Sequence, residues 1–170
     1  LYADAEKIYT LTPKGASRPP QQFAYRSESD AMPTSATSSD GLHLSMDGVQ
    51  VSWMWDTASS SYMRWSGKDK HLDADKTQVA AKNVVVLYMV YKASAADVRS
   101  PEAQSVGEGD AWIYTNGSLV KGKWARALAT DAFTLTDSAG APIKLTPGNT
   151  WVELPRLNKG ADIPAGSDPA

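Results

Sequence analysis

The sequence predicts a mainly β protein, with antiparallel sheets in a sandwich-like or partly closed barrel arrangement and one short N-terminal helix. Two hairpin signals and the scarcity of helical periodicity lead to this prediction. Apolar and polar residues alternate from Leu42 to Trp55 around an Asp47-Gly48 turn, and a second hairpin is centred on Asn116-Gly117. Seven or eight short strands follow one another with turn residues between them, which is typical of an antiparallel β-domain.

The first hairpin carries the strongest local signal in the chain. A two-residue type I′ turn at Asp47-Gly48 pairs Met46 with Val49 and Leu44 with Val51. Both apolar sets then lie on one face of the hairpin, so the turn and the hydrophobic pattern predict the same register.

The N-terminal part predicts a helix followed by a long connector. Residues Asp4 to Leu11 allow two helical turns with Asp4 as N-cap, and Pro13 ends them. Residues 12–41 are rich in Pro, Ser and Thr, with one short extended piece at Gln22 to Arg26. A connector this long is unusual inside a compact domain. We therefore expect 1–41 to be a helix and connector from an upstream domain, and the chain, which starts with Leu1, to be part of a longer protein.

The remaining strands are predicted from short apolar or alternating runs, giving a β-domain over 42–157 and a flexible, Gly/Pro-rich tail over 158–170. Asn83 to Tyr91 is apolar on both faces, which indicates a central strand covered on both sides. Residues 94–109 predict a polar excursion. The other predicted strands are Ser61 to Trp65, Ala111 to Thr115, Ser118 to Trp124, Ala132 to Thr136, Pro142 to Thr146 and Trp151 to Leu154.

Composition excludes several classes of function. The 170 residues include 17 Lys and Arg against 19 Asp and Glu, so the net charge of −2 gives no basic field for nucleic acid. The chain has no Cys and only two His, which excludes disulfides and leaves little for a His-rich metal site. The longest apolar run, residues 84–91, is too short to cross a bilayer.

We expect no cofactor and no metal. Residues 117–123 (GSLVKGK) match part of a phosphate-binding loop, but Trp124 follows where a Ser or Thr should hold magnesium, and the segment lies in a hairpin. Residues 69–75 (DKHLDAD) have alternate oxygen and nitrogen ligands but lack the glycine and the closing Glu of a calcium loop. A charged strand edge or turn explains this segment better.

Trp112 is one candidate ligand-binding residue. Six Trp lie in or beside predicted strands, and most should be core residues because each buries a large area. Trp112 and Trp124 have opposite parity within their hairpin, so the two indoles face opposite sides. An exposed Trp would suit stacking against a sugar ring.

Four polar residues form the second candidate. Arg64, His71, Asp73 and Asn83 surround one predicted turn between the strand at 61–65 and the central strand. Loops at strand ends often present binding groups on a rigid β-scaffold. We therefore predict a partly exposed polar cluster, linked by direct or one-water hydrogen bonds. A salt-bridged turn that only fixes local structure is the competing interpretation.

Several short segments carry a family resemblance through their order and spacing: Arg64, His71-Leu72-Asp73, residues 83–86, Asn116-Gly117, residues 122–126 and residues 146–151, preceded by Leu1-Tyr2 and residues 7–9. Together they resemble the C-terminal region of the YerB-like family of bacterial lipoproteins, a domain of unknown function. The resemblance implies a place, the outer face of the bacterial membrane, more than an activity. It also implies an N-terminal domain and a lipid-modified Cys upstream. Residues 94–106 and the tail beyond Leu157 show no match.

These observations lead to a functional hypothesis with an alternative. The first is an extracytoplasmic ligand-binding or protein-interaction domain of a cell-envelope lipoprotein, without catalysis of its own. Its expected partners are its own N-terminal domain, cell-wall glycan or another envelope protein, with no nucleic acid and with membrane contact only through the upstream anchor. The alternative is an envelope hydrolase that acts on wall or glycan material through Asp/His chemistry. A structural spacer is a third possibility.

Overall fold

The structure is a computed structural model that describes residues 4–16, 20–27 and 29–167. Leu1 and Tyr2, parts of the predicted connector (17–19 and 28) and the last three residues of the predicted tail lie outside the described residues. Within the described ranges the chain forms one helix and the following strands: α1 (Ala5–Thr10), β1 (Thr37–Met46), β2 (Val49–Asp56), β3 (Ser61–Ser66), β4 (Asp69–Lys70), β5 (Ala80–Ala81), β6 (Asn83–Leu87), β7 (Tyr91–Ala93), β8 (Pro101–Ala103), β9 (Gly107–Thr115), β10 (Ser118–Arg126), β11 (Thr134–Asp137), β12 (Thr150–Glu153) and β13 (Gly160–Pro164).

One large sheet, curled into a half-barrel, dominates the fold, so the predicted mainly β class is confirmed. Its strand order is β12-β6-β9-β10-β1-β2-β3-β4, with β11 paired to β10, β13 to β1 and β5 to β3. Strands β7 and β8 form a small second sheet. The pairings are antiparallel except for β12 with β6, which is parallel, an arrangement that the long connection between these two strands permits.

Strand β1 bends between the two halves of the large sheet. Its first residues, Thr37 and Ser38, pair with β10, and from Gly41 it pairs with β2. Gly41 has φ +141°, and a Cβ there would lie 1.9 Å from the carbonyl oxygen of Trp53. Only glycine fits this close approach, so Gly41 permits the curl.

The curl gives the sheet an inner and an outer face, each with its own core. The inner face holds Leu42, Leu44, Val51, Trp53, Tyr62, Ala81, Val84, Val86, Tyr88, Tyr114 and Leu119. The outer face of the β6-β9-β10 half holds Val85, Leu87, Met89, Ala111, Ile113, Val120, Trp124, Leu135, Ile143 and Leu145. Strand β6 contributes to both cores and is fully buried, as predicted for a central strand covered on both sides, but it ends at Leu87 and not at the predicted Tyr91.

Both predicted hairpins are confirmed. Asp47 and Gly48 have φ of 49° and 97°, and Asn116 and Gly117 have φ of 51° and 66°, as type I′ turns require. The predicted register is also present, with Met46 opposite Val49.

The structure corrects three further boundaries. Residues 160–164 of the predicted tail form β13 on β1, because backbone pairing offsets the tail's loop-like composition. Strand β1 begins at Thr37, inside the predicted connector. Residues 101–103 and 107–109 of the predicted polar excursion belong to β8 and β9.

The N-terminal helix is confirmed, with Asp4 as its N-cap accepting from the backbone N–H groups of Glu6 and Lys7. Its apolar side chains Ile8 and Leu11 are exposed, so the helix does not pack on the sheet core. In the described ranges, no helix combines the length and the apolar character that crossing a bilayer requires.

Candidate functional site

The candidate site lies where strands β9 and β10 carry aromatic and charged side chains on the inner face. Trp112 of β9 lies directly opposite Lys121 of β10, and Asp110 lies opposite Lys123. Residues two apart on a strand share a face, so these four side chains lie side by side. The backbone N–H of Tyr88, just after β6, donates to the carbonyl of Asp110 over 3.0 Å and places its phenol beside them.

Trp112 is the centre of this arrangement. Its indole is partly buried and meets the ring of Tyr88 edge to face, with the two centroids 5.4 Å apart. Lys121 Nζ lies 4.6 Å from the Trp112 centroid, within the range of a cation–π contact. The prediction that Trp112 and Trp124 face opposite sides is confirmed, because Trp124 belongs to the outer core.

The two lysines differ in their partners. Lys123 Nζ lies 2.5 Å from Asp110 Oδ1, and this hydrogen bond raises the pKa of Lys123 above its ordinary value. Within the ranges that the structure describes, Lys121 has no ion-pair partner. Its exposed ammonium lies against the face of Trp112.

A groove of about 330 Å³ opens at this point, which we call the Trp112 groove. Its volume lies at the lower end of the range for small-molecule sites. Asn158, with φ of 59°, places its exposed side chain at this groove; Asn tolerates such a backbone better than most residues. The lining residues are Tyr88, Asp110, Trp112, Leu157, Asn158 and Gly160.

Tyr88 is the buried polar residue of the Trp112 groove. Its side chain is 6% exposed, and its hydroxyl has no hydrogen-bond partner among the described residues. Burial, together with the nearby Asp110 carboxylate, raises the pKa of the Tyr88 phenol well above its ordinary value. The backbone of Gly160 covers this hydroxyl, since a Cβ on Gly160 would lie 2.1 Å from Tyr88 Oη.

The second predicted site is partly assembled around Arg64. Arg64 Nη1 donates to His71 Nδ1 over 2.7 Å, and Arg64 Nε lies 3.3 Å from Glu153 Oε1. Because a guanidinium can only donate, His71 Nδ1 must accept, and the proton of the neutral ring is then on Nε2. The side chains of Arg64 and Glu153 are 13% and 6% exposed, so this ion pair is nearly removed from water.

Two tryptophans enclose this ion pair. The Arg64 guanidinium carbon lies 5.8 Å from the Trp53 centroid and 5.2 Å from that of Trp151. Trp53 Nε1 donates to Glu153 Oε1 over 3.0 Å. Trp151 itself is partly buried. The arrangement joins β2, β3 and β12 through side chains.

The structure does not bring all four predicted polar residues together. Asn83 is fully buried, and its side chain bonds to Thr115, Thr146 and Thr150, so its assignment to a partly exposed cluster is wrong. The carboxylate of Asp73 is exposed and accepts from the backbone N–H of Ala74. A ligand-binding role for Arg64, His71, Asp73, Asn83 or Trp112 stays a prediction.

Four residues of these sites were not singled out from the sequence. The register of the second hairpin places Lys121 opposite Trp112, and Glu153 lies on the same strand face as Trp151. Both residues could therefore have been identified from the alternation of side chains along the strands. Tyr88 and Trp53 could not, because their contacts depend on how the sheet curls.

A second cleft, of about 320 Å³, lies beside the outer core and is lined by charges of both signs, including Arg26, Asp30 and Lys144. A backbone hydrogen bond from Ser27, followed by the contact with Lys144, lowers the pKa of Asp30. A third cleft, of about 120 Å³, lies next to the exposed pair of Arg156 and Asp47. Among the described residues, no group of three or more acidic or His side chains is placed to hold a metal ion.

The comparisons with known proteins agree with the sequence resemblance. A family model described as "Protein of unknown function (DUF3048) C-terminal domain" matches residues 42–152, well over half of the chain. The crystal structure of the YerB protein from Bacillus subtilis is similar, with a TM-score of 0.63 and 15% sequence identity. The match covers 77% of this chain and 45% of that protein, so the chain spans less than half of its length. At this identity the similarity shows the fold alone. No curated protein matches the sequence.

Proposed function

The chain belongs to the family of DUF3048 C-terminal domains, and from this premise we propose that it is a ligand-binding domain of the bacterial cell envelope, without catalysis of its own. The observation that carries the proposal is the Trp112 groove. An aromatic ring, a buried phenol and an exposed Asn and Asp converge on one cavity, which is the usual make-up of a site that binds a small polar ring.

The described geometry favours binding over the alternative, hydrolysis by Asp/His chemistry. A catalytic site of that kind needs a carboxylate and an imidazole converging on a cleft. None of the three clefts described above is lined by a histidine. His71 is held by Arg64, and His43 Nδ1 lies 2.8 Å from the hydroxyl of Ser52. We therefore make no proposal of catalysis.

The location is a separate part of the proposal. The sequence resemblance supports a domain on the outer face of the membrane, attached through a lipid anchor upstream of this chain. The partner we propose there is cell-wall glycan. Cells that are given labelled fatty acid should incorporate the label into the full-length protein. Protease added to intact spheroplasts should degrade the domain. A full-length protein that stays unlabelled and protected would contradict this location.

The binding proposal is tested with fragments of cell wall solubilised by a muramidase. We expect titration of the ¹⁵N-labelled domain to shift the indole signal of Trp112 and the amide signals of Asp110 and Asn158. Trp112→Ala should weaken binding about tenfold, since stacking on an aromatic ring is worth about that factor.

The matched control is Trp65→Ala. Trp65 is also partly buried and also has a lysine near its ring, with Lys70 Nζ at 5.7 Å, but it lies outside the Trp112 groove. Trp65→Ala should leave the affinity for the cell-wall fragments unchanged. Signal shifts confined to other surfaces, or equal binding by Trp112→Ala and wild type, would show that the groove is not the binding site.

A further inference from the structure

We infer that the Trp112 groove recognises an acidic saccharide, with a sugar ring on Trp112 and the carboxylate of the sugar paired with Lys121. This inference rests on the binding function proposed above and adds the chemical class of the ligand.

The first support is the difference between the two neighbouring lysines. Lys123 already has its carboxylate partner, Asp110, at 2.5 Å, whereas Lys121 has none in the described part of the chain. Lys121 Nζ is exposed and lies 4.6 Å from the Trp112 centroid, next to the groove. An anionic group bound beside Trp112 would therefore meet the ammonium of Lys121, and a charge-assisted hydrogen bond is stronger than a neutral one.

The second support is the hydrogen-bonding capacity around the ring. Asp110 and Asn158 have exposed side chains at the groove, and together they offer acceptors and a donor for sugar hydroxyls. Tyr88 adds a buried hydroxyl without a partner among the described residues, which is a cost in the free protein. A ligand hydroxyl that reaches Tyr88 past the covering backbone of Gly160 would offset that cost.

The flat aromatic surface favours a saccharide over an acidic peptide. A pyranose ring presents a face of C–H groups that packs on an indole while its hydroxyls stay at the edge. Trp112 lines the groove beside polar groups, and the groove volume of about 330 Å³ is small for a peptide segment of several residues.

The test uses three probes at equal concentration: a disaccharide of glucuronic acid and N-acetylglucosamine, the neutral disaccharide N,N′-diacetylchitobiose, and a hexapeptide of glutamate. We expect the acidic disaccharide to bind most tightly, with shifts of the Trp112 indole signal. Lys121→Gln should weaken it about fivefold and leave the neutral disaccharide unchanged, while Lys92→Gln, an exposed lysine away from the groove, should change neither. Added salt should weaken only the acidic disaccharide.

Tyr88→Phe separates a ligand contact from a structural role. Because the hydroxyl has no partner among the described residues of the free protein, its removal should not lower the melting temperature, yet it should weaken binding of the acidic disaccharide about fivefold. Tyr25→Phe, outside the groove, is the matched control and should leave binding unchanged.

The outcomes separate the two proposals. Equal affinity for the two disaccharides, or an unchanged affinity in Lys121→Gln, would overturn recognition of an acid while leaving the Trp112 groove as a binding site. Preference for the glutamate peptide would replace the saccharide with a protein partner. If Trp112→Ala changes binding of none of the probes or of the cell-wall fragments, both proposals fail.

Discussion

At the scale of single residues, the absence of a side chain at Gly160 leaves room for the phenol of Tyr88. A Cβ on Gly160 would lie 2.1 Å from Tyr88 Oη, 3.0 Å from Leu44 Cδ2 and 3.2 Å from the Tyr88 ring carbon Cζ. The hydroxyl therefore accounts for the severe part of the contact. The phenol can stay in the wall of the Trp112 groove only while residue 160 has no side chain.

We predict that Gly160→Ala destabilises the protein by about 1–3 kcal/mol, as overpacking does, because it displaces the Tyr88 ring. Adding Tyr88→Phe should recover most of this loss, since it removes the atom that clashes. Denaturant unfolding of the two single variants and the double variant measures the coupling. Strictly additive losses would show that the added methyl group disturbs strand β13 in another way.

At the scale of elements, strand β12 is tied to the sheet in two ways. Its backbone pairs in parallel with β6, and its side chains Trp151 and Glu153 reach Trp53 of β2 and Arg64 of β3. The strand therefore joins the two halves of the curled sheet. Glu153 is the polar link, because one carboxylate oxygen accepts from both Trp53 and Arg64.

We predict that Glu153→Gln destabilises the protein by about 3 kcal/mol, because it leaves the charge of Arg64 nearly buried without its counter-ion. Lys123→Gln, which breaks an exposed ion pair, should lower the free energy of unfolding far less and serves as the control. Chemical denaturation checks both. A Glu153→Gln variant as stable as the control would mean that His71 and the two indoles suffice to hold Arg64.

The sequence could predict a contact when the two residues that make it lie close together along the chain. The hairpins at Asp47-Gly48 and Asn116-Gly117 were predictable because turn and register are local. The pairing of β13 with β1 was not, since residues 160–164 have a loop-like composition and gain their structure from a strand far away.

The same distinction holds for the sites. The contact of Arg64 with His71 follows from two short neighbouring strands, whereas the burial of Asn83 among three threonines depends on packing between strands β6 and β9 and the segment before β12. Trp112 was predictable as a Trp facing away from Trp124. The groove beside it was not, because Leu157 to Gly160 come from the segment that leads into β13.

At the scale of the whole molecule, ionisation sets the pH range of stability. Hydrogen bonds from backbone and side-chain donors lower the pKa of exposed aspartates at turns and strand ends: Asp30, Asp47, Asp56, Asp75 and Asp97. Burial raises the pKa of four tyrosines: Tyr62, Tyr88, Tyr91 and Tyr114.

The two shifts act at opposite ends of the pH scale. A carboxyl with a lowered folded pKa contributes stability above its unfolded pKa of about 4, and this is lost as the pH falls. A phenol with a raised folded pKa contributes stability below about pH 10, which is lost as the pH rises.

We therefore predict a melting temperature that is level between about pH 5 and 9 and falls on both sides. Circular dichroism checks this, and a melting temperature that stays level to about pH 11 would contradict the burial of the phenols.

The pairing of β1 also has a consequence for biosynthesis. One edge of β1 can pair with β2 as soon as β2 has been synthesised. The other edge pairs with β10 and β13, and its contacts with these strands join residues 82 and 123 positions apart in the sequence. At ordinary rates of translation, that delay is on the order of ten seconds for a chain leaving the ribosome. During this time the nascent hairpin keeps an open edge that can pair with other chains. Pairing this open edge requires contacts between residues far apart in the sequence. Proteins that depend on such contacts fold in milliseconds to seconds rather than microseconds.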